Sequence, residues 1–355
     1  SDNGPSKESY LKEAYDPNFF SGYGDFSGIK RDTLEGGIRE PALVRWPGQI
    51  REGRIDATPT GMWEWLATFA EIAGVPAPAT SDGSSLLPLL TGKGNRGPST
   101  IYVEYFNNPK SPDYADFPQA NRARTRQQMQ SVWVDGYMGV RYQIHSATDD
   151  FEIYDVEADP RQARNLGQDP SMTALQEKMK ARVLQMRRPE PSAKRPYDDA
   201  LVPGVALPPG AQPGYLAAAI YSGTWPWIPD YRLLTPRQHK MITSLETAPV
   251  KGGETTGLAV TGWFHADTSG RYTFHVTSDS GATVFLHEAR LVDGDIQGSG
   301  KSASADVHLA QGWHPLRIYS RHESKQPRLK ASYTAPDGRV HALSGTAIAG
   351  SKDRD

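Results

Sequence analysis

The 355-residue chain contains no cysteine. That excludes a disulfide scaffold, a zinc–thiolate centre and a cysteine nucleophile within it, and leaves the redox compartment open. An excess of one charge is also missing. Against 39 Lys and Arg stand 41 Asp and Glu, a net charge of −2, so nothing electrostatic argues for nucleic acid or an anionic membrane surface. No apolar run approaches the ~20 residues that span a bilayer, and the most apolar stretch, YLAAAIY, has the length of a strand. No His-x-x-x-His spacing occurs, which argues against a helical zinc site. The opening SDNGPSKESY has neither the basic segment nor the apolar core of a signal peptide. What is plentiful is glycine (34) and proline (28), alongside 10% aromatics, a composition that reads as loop-rich but globular, at a length that favours two or more domains.

Periodicity then places elements. PALVRWPG reads as a short strand closed by Pro47-Gly48. TPTGMWEWLATFAEIAGVPAP predicts a helix capped at Thr58, with Pro59 in its first turn, Met62, Leu66, Phe69 and Ala73 on one face, and Gly74 and Pro76 ending it. In SVWVDGYMGVRY, Val132 and Val134, then Met138, Val140 and Tyr142, alternate about Asp135-Gly136, a hairpin signal. FEIYDV is a further strand. Asp169-Pro170 opens a helix whose Leu175, Met179, Val183 and Met186 share a face. Between Arg187 and Gly214 periodicity gives way to seven prolines (189, 191, 196, 203, 208, 209 and 213), the composition of a semi-rigid linker. Beyond it, short alternating strands separated by Gly, Asp-Gly and Ser-Gly turns predict a β-sandwich.

Two stretches carry candidate chemistry. Asp2 and Asn3 offer a carboxylate and an amide oxygen, the hard donors that Ca²⁺ or Mg²⁺ takes, although two donors do not complete a shell and metal-free Asp-Asn-Gly turns are commoner. GIKRDTLEGGIREP gathers Lys30, Arg31, Asp32, Glu35, Arg39 and Glu40 about Gly36-Gly37. It is either a solvated charged loop or a tight backbone fold that presents Lys30 to an anionic group. Arg122, Arg124 and Arg126 in RARTRQQ read by default as a solvated basic cluster, with contact to an anionic polysaccharide as the alternative. Trp225, Trp227 and Trp263 suit either a sugar face or a core.

Taken together, SDNGP, then DPNFFSGYG, GIKRDTLEGGIREPALVRWPGQI, TFAEIAGVP, DGSSLLPLLTG and EIYDVEADPRQARNLGQDP resemble, in order, the C-terminal half of a type I, formylglycine-dependent sulfatase, over roughly residues 1 to 188. The resemblance implies the C-terminal part of an alkaline-phosphatase-like α/β fold (residues 1–95) and a small antiparallel α+β subdomain (96–188). It also implies Asp2 and Asn3 as ligands of a Ca²⁺ site (Mg²⁺ the alternative metal), and Lys30 as a residue that contacts the sulfate. Where many relatives carry His after Asp-Asn-Gly-Pro, this sequence has Ser6. The family's nucleophile, a formylglycine made from Cys or Ser in a Cys/Ser-x-Pro-x-Arg motif, has no counterpart here. The expectation is therefore a C-terminal fragment of a sulfatase, inactive alone, with no catalytic nucleophile in this chain.

GTWPWIPDY, VTGWFHADTSGRYTFHVTSDSGATVFLHEARLVDGD, VHLAQGWHPLRIYSRH and KASYTAPDGRV are similar to a PA14 domain, an all-β sandwich. The expected boundaries are a linker at 189–213, the PA14-like sandwich at 214–345 and a tail at 346–355. Lectin-type members hold calcium with two adjacent Asp; the matching pair here is Asp279-Ser280. Asp279 either serves a ligand or shapes a turn. The combined expectation is a periplasmic or secreted hydrolase of sulfate esters, its substrate a sulfated glycan or an aryl sulfate, with glycan as a possible partner of the sandwich. The alternatives are a non-catalytic glycan-binding module and a related phosphoester or phosphonate hydrolase.

Overall fold

The structure is a computed structural model and describes residues 3–7, 15–190, 192–247, 255–295, 302–323 and 328–351. Contacts divide the chain into two compact units, one of residues 1–62, 88–183 and 191–198, the other of 63–87, 184–190 and 199–355. These limits differ from those suggested by composition. Residues 63–87 cluster with the sandwich, and the proline-rich stretch is shared out. On one side Tyr197 is buried and its hydroxyl accepts from Gln128 Nε2 at 2.7 Å. On the other, Val202 N donates to His308 O at 2.8 Å and Val205 N to Trp313 O at 2.8 Å.

The first unit is built on a four-stranded antiparallel sheet in the order β1 (Tyr102–Asn107), β2 (Gln127–Val134), β3 (Tyr137–Arg141) and β4 (Glu152–Tyr154). The predicted hairpin joins β2 to β3, with Asp135 and Gly136 both at positive φ (52° and 84°), the geometry a two-residue turn needs to match strand twist. A helix, Thr173–Met186, covers one face, burying Met179 and Val183 of the expected face together with Gln176, while Leu175 and Met186 are half-buried. Gly139 of β3 allows this approach, since a Cβ there would lie 2.5 Å from Met179 Sδ. On the opposite face Leu34, from the Glu-Gly-Gly stretch, packs with Met138, Val140, Tyr154 and Val156. The charged motif thus lies on one side of the sheet and the helix on the other.

The second unit is a sandwich. One sheet runs β11 (Ala289–Asp293), β10 (Ala282–Leu286), β13 (Gly312–His322), β8 (Thr256–Ala266), β16 (Ile348–Gly350), β5 (Gln212–Pro213), and β8 also pairs with β6 (Leu216–Ser222), which pairs with β7 (Gln238–Ile242). The other runs β12 (Ser302–Leu309), β9 (Gly270–Ser278), β14 (Leu329–Thr334), β15 (Val340–Ala342). Inward-facing residues such as Leu258, Val260 and Phe264 of β8 meet Tyr272, Phe274 and Val276 of β9, the alternation expected of two packed sheets.

Two expected elements differ. PALVRWPG forms no strand, and Leu43 is fully exposed, because the described residues offer it no ladder partner. The helix after Thr58 spans only Glu64–Ile72, with Trp63 at its N-cap, and buries Glu64, Ala67, Thr68 and Ala70; Leu66 and Phe69 are more than half exposed. Its small-residue face wins because backbone comes close on that side. Leu86 N donates to Thr68 Oγ1 at 2.8 Å, and a Cβ on Gly83 would lie 2.3 Å from Trp63 O. Among the described residues no helix is long and apolar enough to cross a membrane.

Candidate functional site

The site begins with backbone. Gly4 N donates to Gly37 O and Lys30 N to Pro5 O, each at 3.0 Å, so the segment after Asn3 lies against both the Lys30 turn and the paired glycines. Gly36 N donates to Ser27 O at 2.8 Å, drawing the start and middle of the motif together. No side chain fits in this knot. A Cβ on Gly4 would sit 2.0 Å from Gly36 O, one on Gly36 2.4 Å from Gly28 O, and one on Gly37 2.3 Å from Asp32 O. All three obstacles are main-chain carbonyls that cannot swing aside, so the glycines are required by close approach.

Charge locks the knot in place. Asp32, 2% exposed, accepts from its own loop (Ile29 N to Oδ2, 3.0 Å) and from the Ser111 hydroxyl. Arg126, 4% exposed, grips both carboxylate oxygens, Nε to Oδ1 at 2.8 Å and Nη2 to Oδ2 at 2.9 Å. Such a forked, charge-assisted pair fixes direction as well as distance. Thr33 N donates to the Tyr142 hydroxyl at 3.2 Å; burial pushes that phenol up, and the Asp32 charge adds to the effect. Glu35 heads a short helix, Glu35–Ile38, with its amide donating to Gln162 Oε1 at 2.9 Å. Burial pushes the Glu35 carboxyl up, opposed by Arg39 at 3.0 Å, whose guanidinium also lies over the Phe26 ring at 4.8 Å.

The basic cluster is not a solvated loop. Besides Arg126, Arg124 makes a forked pair with Glu152 (3.0 and 2.6 Å) and stacks over Tyr142, 3.9 Å from the ring centroid; Arg122 Nε donates to Phe117 O at 2.7 Å. These guanidiniums hold the unit together. The pairing of Asp32 with Arg126 is what sequence reasoning passed over, since nothing local in RARTRQQ says that its last arginine belongs to a carboxylate far upstream.

Of the expected site residues, Lys30 and Asn3 are both half-buried and lie on the two segments joined by the Gly4–Gly37 and Lys30–Pro5 hydrogen bonds. Asp2 lies outside the described residues. Among the described residues no group of three or more His, Asp or Glu could hold a metal ion, and the Asp32 carboxylate is already taken by Arg126.

In the sandwich, Asp279 accepts from His322 Nδ1 (2.8 Å), Arg328 N (3.0 Å) and Ser280 Oγ (3.0 Å). These hydrogen bonds hold its carboxyl below the usual range against burial, which acts the other way and is the largest influence. His322 Nε2 in turn lies 3.0 Å from Ser320 Oγ, the connectivity of a nucleophilic relay. Ser320 and His322 are 0% and 1% exposed, so no substrate reaches them and the trio is an internal strut. Trp225 packs edge-on against Tyr231, and Trp227 Nε1 donates to Pro76 O at 3.1 Å; both are structural.

Two family models match the chain. Residues 23–189 match the C-terminal family of N-sulphoglucosamine sulphohydrolase, and residues 241–341 match the PA14 domain. Mouse (Mus musculus) steryl-sulfatase is 40% identical over 86 residues, 24% of this chain and 14% of that protein. N-acetylglucosamine-6-O-sulfatase of Bacteroides thetaiotaomicron is 27% identical over 158 residues, 42% of this chain and 25% of that protein. The chain thus spans a quarter or less of the length of these relatives. Among solved structures, the PA14 domain of an antifreeze protein aligns with a TM-score of 0.33 at 14% identity, over 42% of this chain and 96% of that one.

Proposed function

We propose that this chain, a sulfatase C-terminal region followed by a PA14 domain, is part of an enzyme that hydrolyses sulfate esters on sulfated carbohydrates. The observation that carries the reading is the knot. Two motif segments far apart in sequence, Asn3–Pro5 and Gly28–Gly37, meet through backbone hydrogen bonds, and Lys30 sits where they meet. On this reading Lys30 binds the sulfate. Its ammonium offsets the negative charge of the sulfuryl oxygens, a stabilisation that grows as charge develops in the transition state. A formylglycine would supply the nucleophile, and Ca²⁺ would help to neutralise charge on the sulfuryl oxygens. Here both would depend on residues upstream, with Asp2 and Asn3 contributing metal ligands. Aryl sulfates are the simple substrates that would report the chemistry, and the periplasm or the extracellular space the place where it occurs. The sandwich is proposed to hold glycan, raising the effective concentration of substrate. Because the Asp279 carboxylate is already committed to His322 and Arg328, any such binding should survive EDTA.

The test is made on the full-length protein that contains this chain. Lys30→Ala should lower kcat/KM on an aryl sulfate by roughly 10²–10³, the loss typical of removing one donor to a developing anion. Folding should be unchanged. Wild-type kinetics would return Lys30 to a structural role. The upstream sequence tests the class: a Cys/Ser-x-Pro-x-Arg motif supports the sulfatase, a Thr nucleophile points to a phosphoesterase, and no nucleophile points to a glycan-binding module.

A further inference from the structure

The turn that carries Lys30 is one an ordinary chain does not hold unaided. Gly28 has φ 93°, and Arg31, directly after Lys30, has φ 77°, in the left-handed region that non-glycine residues rarely enter. Asp32 N closes the turn on Ile29 O at 2.9 Å. The side chain of Asp32 adds the reverse bond, Oδ2 accepting from Ile29 N at 3.0 Å, so the four residues around Lys30 are sealed by one carboxylate. That carboxylate is held from outside the motif by Arg126, which immediately precedes β2. The arginine is anchored in turn, its carbonyl accepting from Gln143 N at 3.2 Å. The chain of contacts therefore runs from the sheet through Arg126 and Asp32 to Ile29, and ends one residue short of Lys30.

We infer that Arg126 is a positioning residue for Lys30: the fork it makes with Asp32 sets the place of the Lys30 turn relative to the sheet. The inference rests on the reading of Lys30 as the sulfate-binding residue. Lysine cannot replace this arginine, because an ammonium keeps the charge but lacks the planar fork that fixes both oxygens of Asp32. Arg126→Lys therefore separates charge from geometry, and Asp32→Asn is a second variant that keeps shape and removes the pair.

On the 355-residue chain, amide hydrogen exchange reads the turn directly. Arg126→Lys and Asp32→Asn should each speed exchange at Ile29 and Asp32 by roughly 10²-fold, while amides of the β2–β3 hairpin keep their wild-type rates. Uniform acceleration across turn and hairpin would show that Arg126 merely stabilises the unit, and would overturn the inference. In the full-length protein, Arg126→Lys should lower kcat on an aryl sulfate. Adding it to Lys30→Ala should cost nothing further, because a positioning residue acts only through the group it positions. Losses that multiply in the double variant would overturn the inference too. A silent Lys30→Ala would instead sink the sulfate reading, and local exchange on the shorter chain would still decide whether the clamp exists.

Discussion

Phe264 in the sandwich and Asp32 in the motif are both buried, and they are buried among opposite kinds of neighbour. Around Phe264 stand the rings of Tyr272, Phe274 and Tyr333, with centroids 5.5, 4.9 and 4.8 Å away and edge-to-face inclinations. Around Asp32 stand a guanidinium, a serine hydroxyl and a main-chain amide. The first environment rewards contact area and is indifferent to small shifts. The second fixes direction, because a hydrogen bond weakens steeply with angle. If Lys30 binds the sulfate as proposed, the motif benefits from the second kind. A region that must only fold and present a surface is served by the first.

That contrast can be broken experimentally. The largest effect is expected at Phe264→Ala, which should cost the sandwich about 3–5 kcal/mol by opening a cavity. Chemical denaturation followed by near-ultraviolet circular dichroism would show it as a lowered midpoint. A loss below about 1 kcal/mol would mean that the aromatic cluster collapses to fill the space.

Gly36→Ala comes next and tests the motif by sterics alone. With carbonyls at 2.4 and 2.7 Å from the new Cβ, about 1–3 kcal/mol should be lost from the first unit, and Gly4 N should lose its protection as Gly37 is displaced. Unchanged exchange at Gly4 would show that the knot tolerates rearrangement.

Acid should separate the units further. His314 is fully buried, its Nε2 2.8 Å from Ala310 O and its Nδ1 2.9 Å from His287 Nε2. In the neutral ring a carbonyl partner places the proton on Nε2 and leaves Nδ1 to accept. Burial holds the His314 pKa below 6.5 in the folded state. The unfolded chain therefore binds the proton first, and this contribution to stability is present above that pH and lost as pH falls through it. The sandwich should weaken between pH 7 and 5, and His314→Gln should flatten the decline. A decline equally steep in that variant would assign it elsewhere.

The smallest effect is expected at Glu35, and it runs the other way. Its folded pKa lies above 4.5, so its charge weighs against folding at neutral pH and that burden lifts as pH falls through the folded pKa. Its partner Arg39 is 42% exposed, so the pair is worth little. Glu35→Gln should change stability at pH 7 by less than about 1 kcal/mol, in the stabilising direction, with the advantage fading by pH 4. A clear loss at pH 7 would show that the ion pair outweighs burial.

Much of this architecture is legible in the amino-acid sequence by itself. Asp135-Gly136 between alternating apolar runs dictates a hairpin, because few residue pairs accept two positive φ angles in a row. Met179 and Val183 face the sheet as their spacing requires, and the strands of the sandwich declare themselves by inward alternation. Glu-Gly-Gly with an upstream lysine identifies the motif. These are local properties, and local sequence determines them. What only the tertiary structure decided is pairing. Whether PALVRWPG becomes a strand depends on a partner, and the described residues supply none. Whether the helix at Glu64–Ile72 buries Leu66 and Phe69 or Ala67 and Ala70 depends on how near other backbone comes, and Gly83 comes near on the small side. Arg126 reads as one of three basic residues until the fold sets it against Asp32. A charge declares its sign in the sequence, but its partner is a matter of distance, and distance is fixed only when the chain has closed on itself.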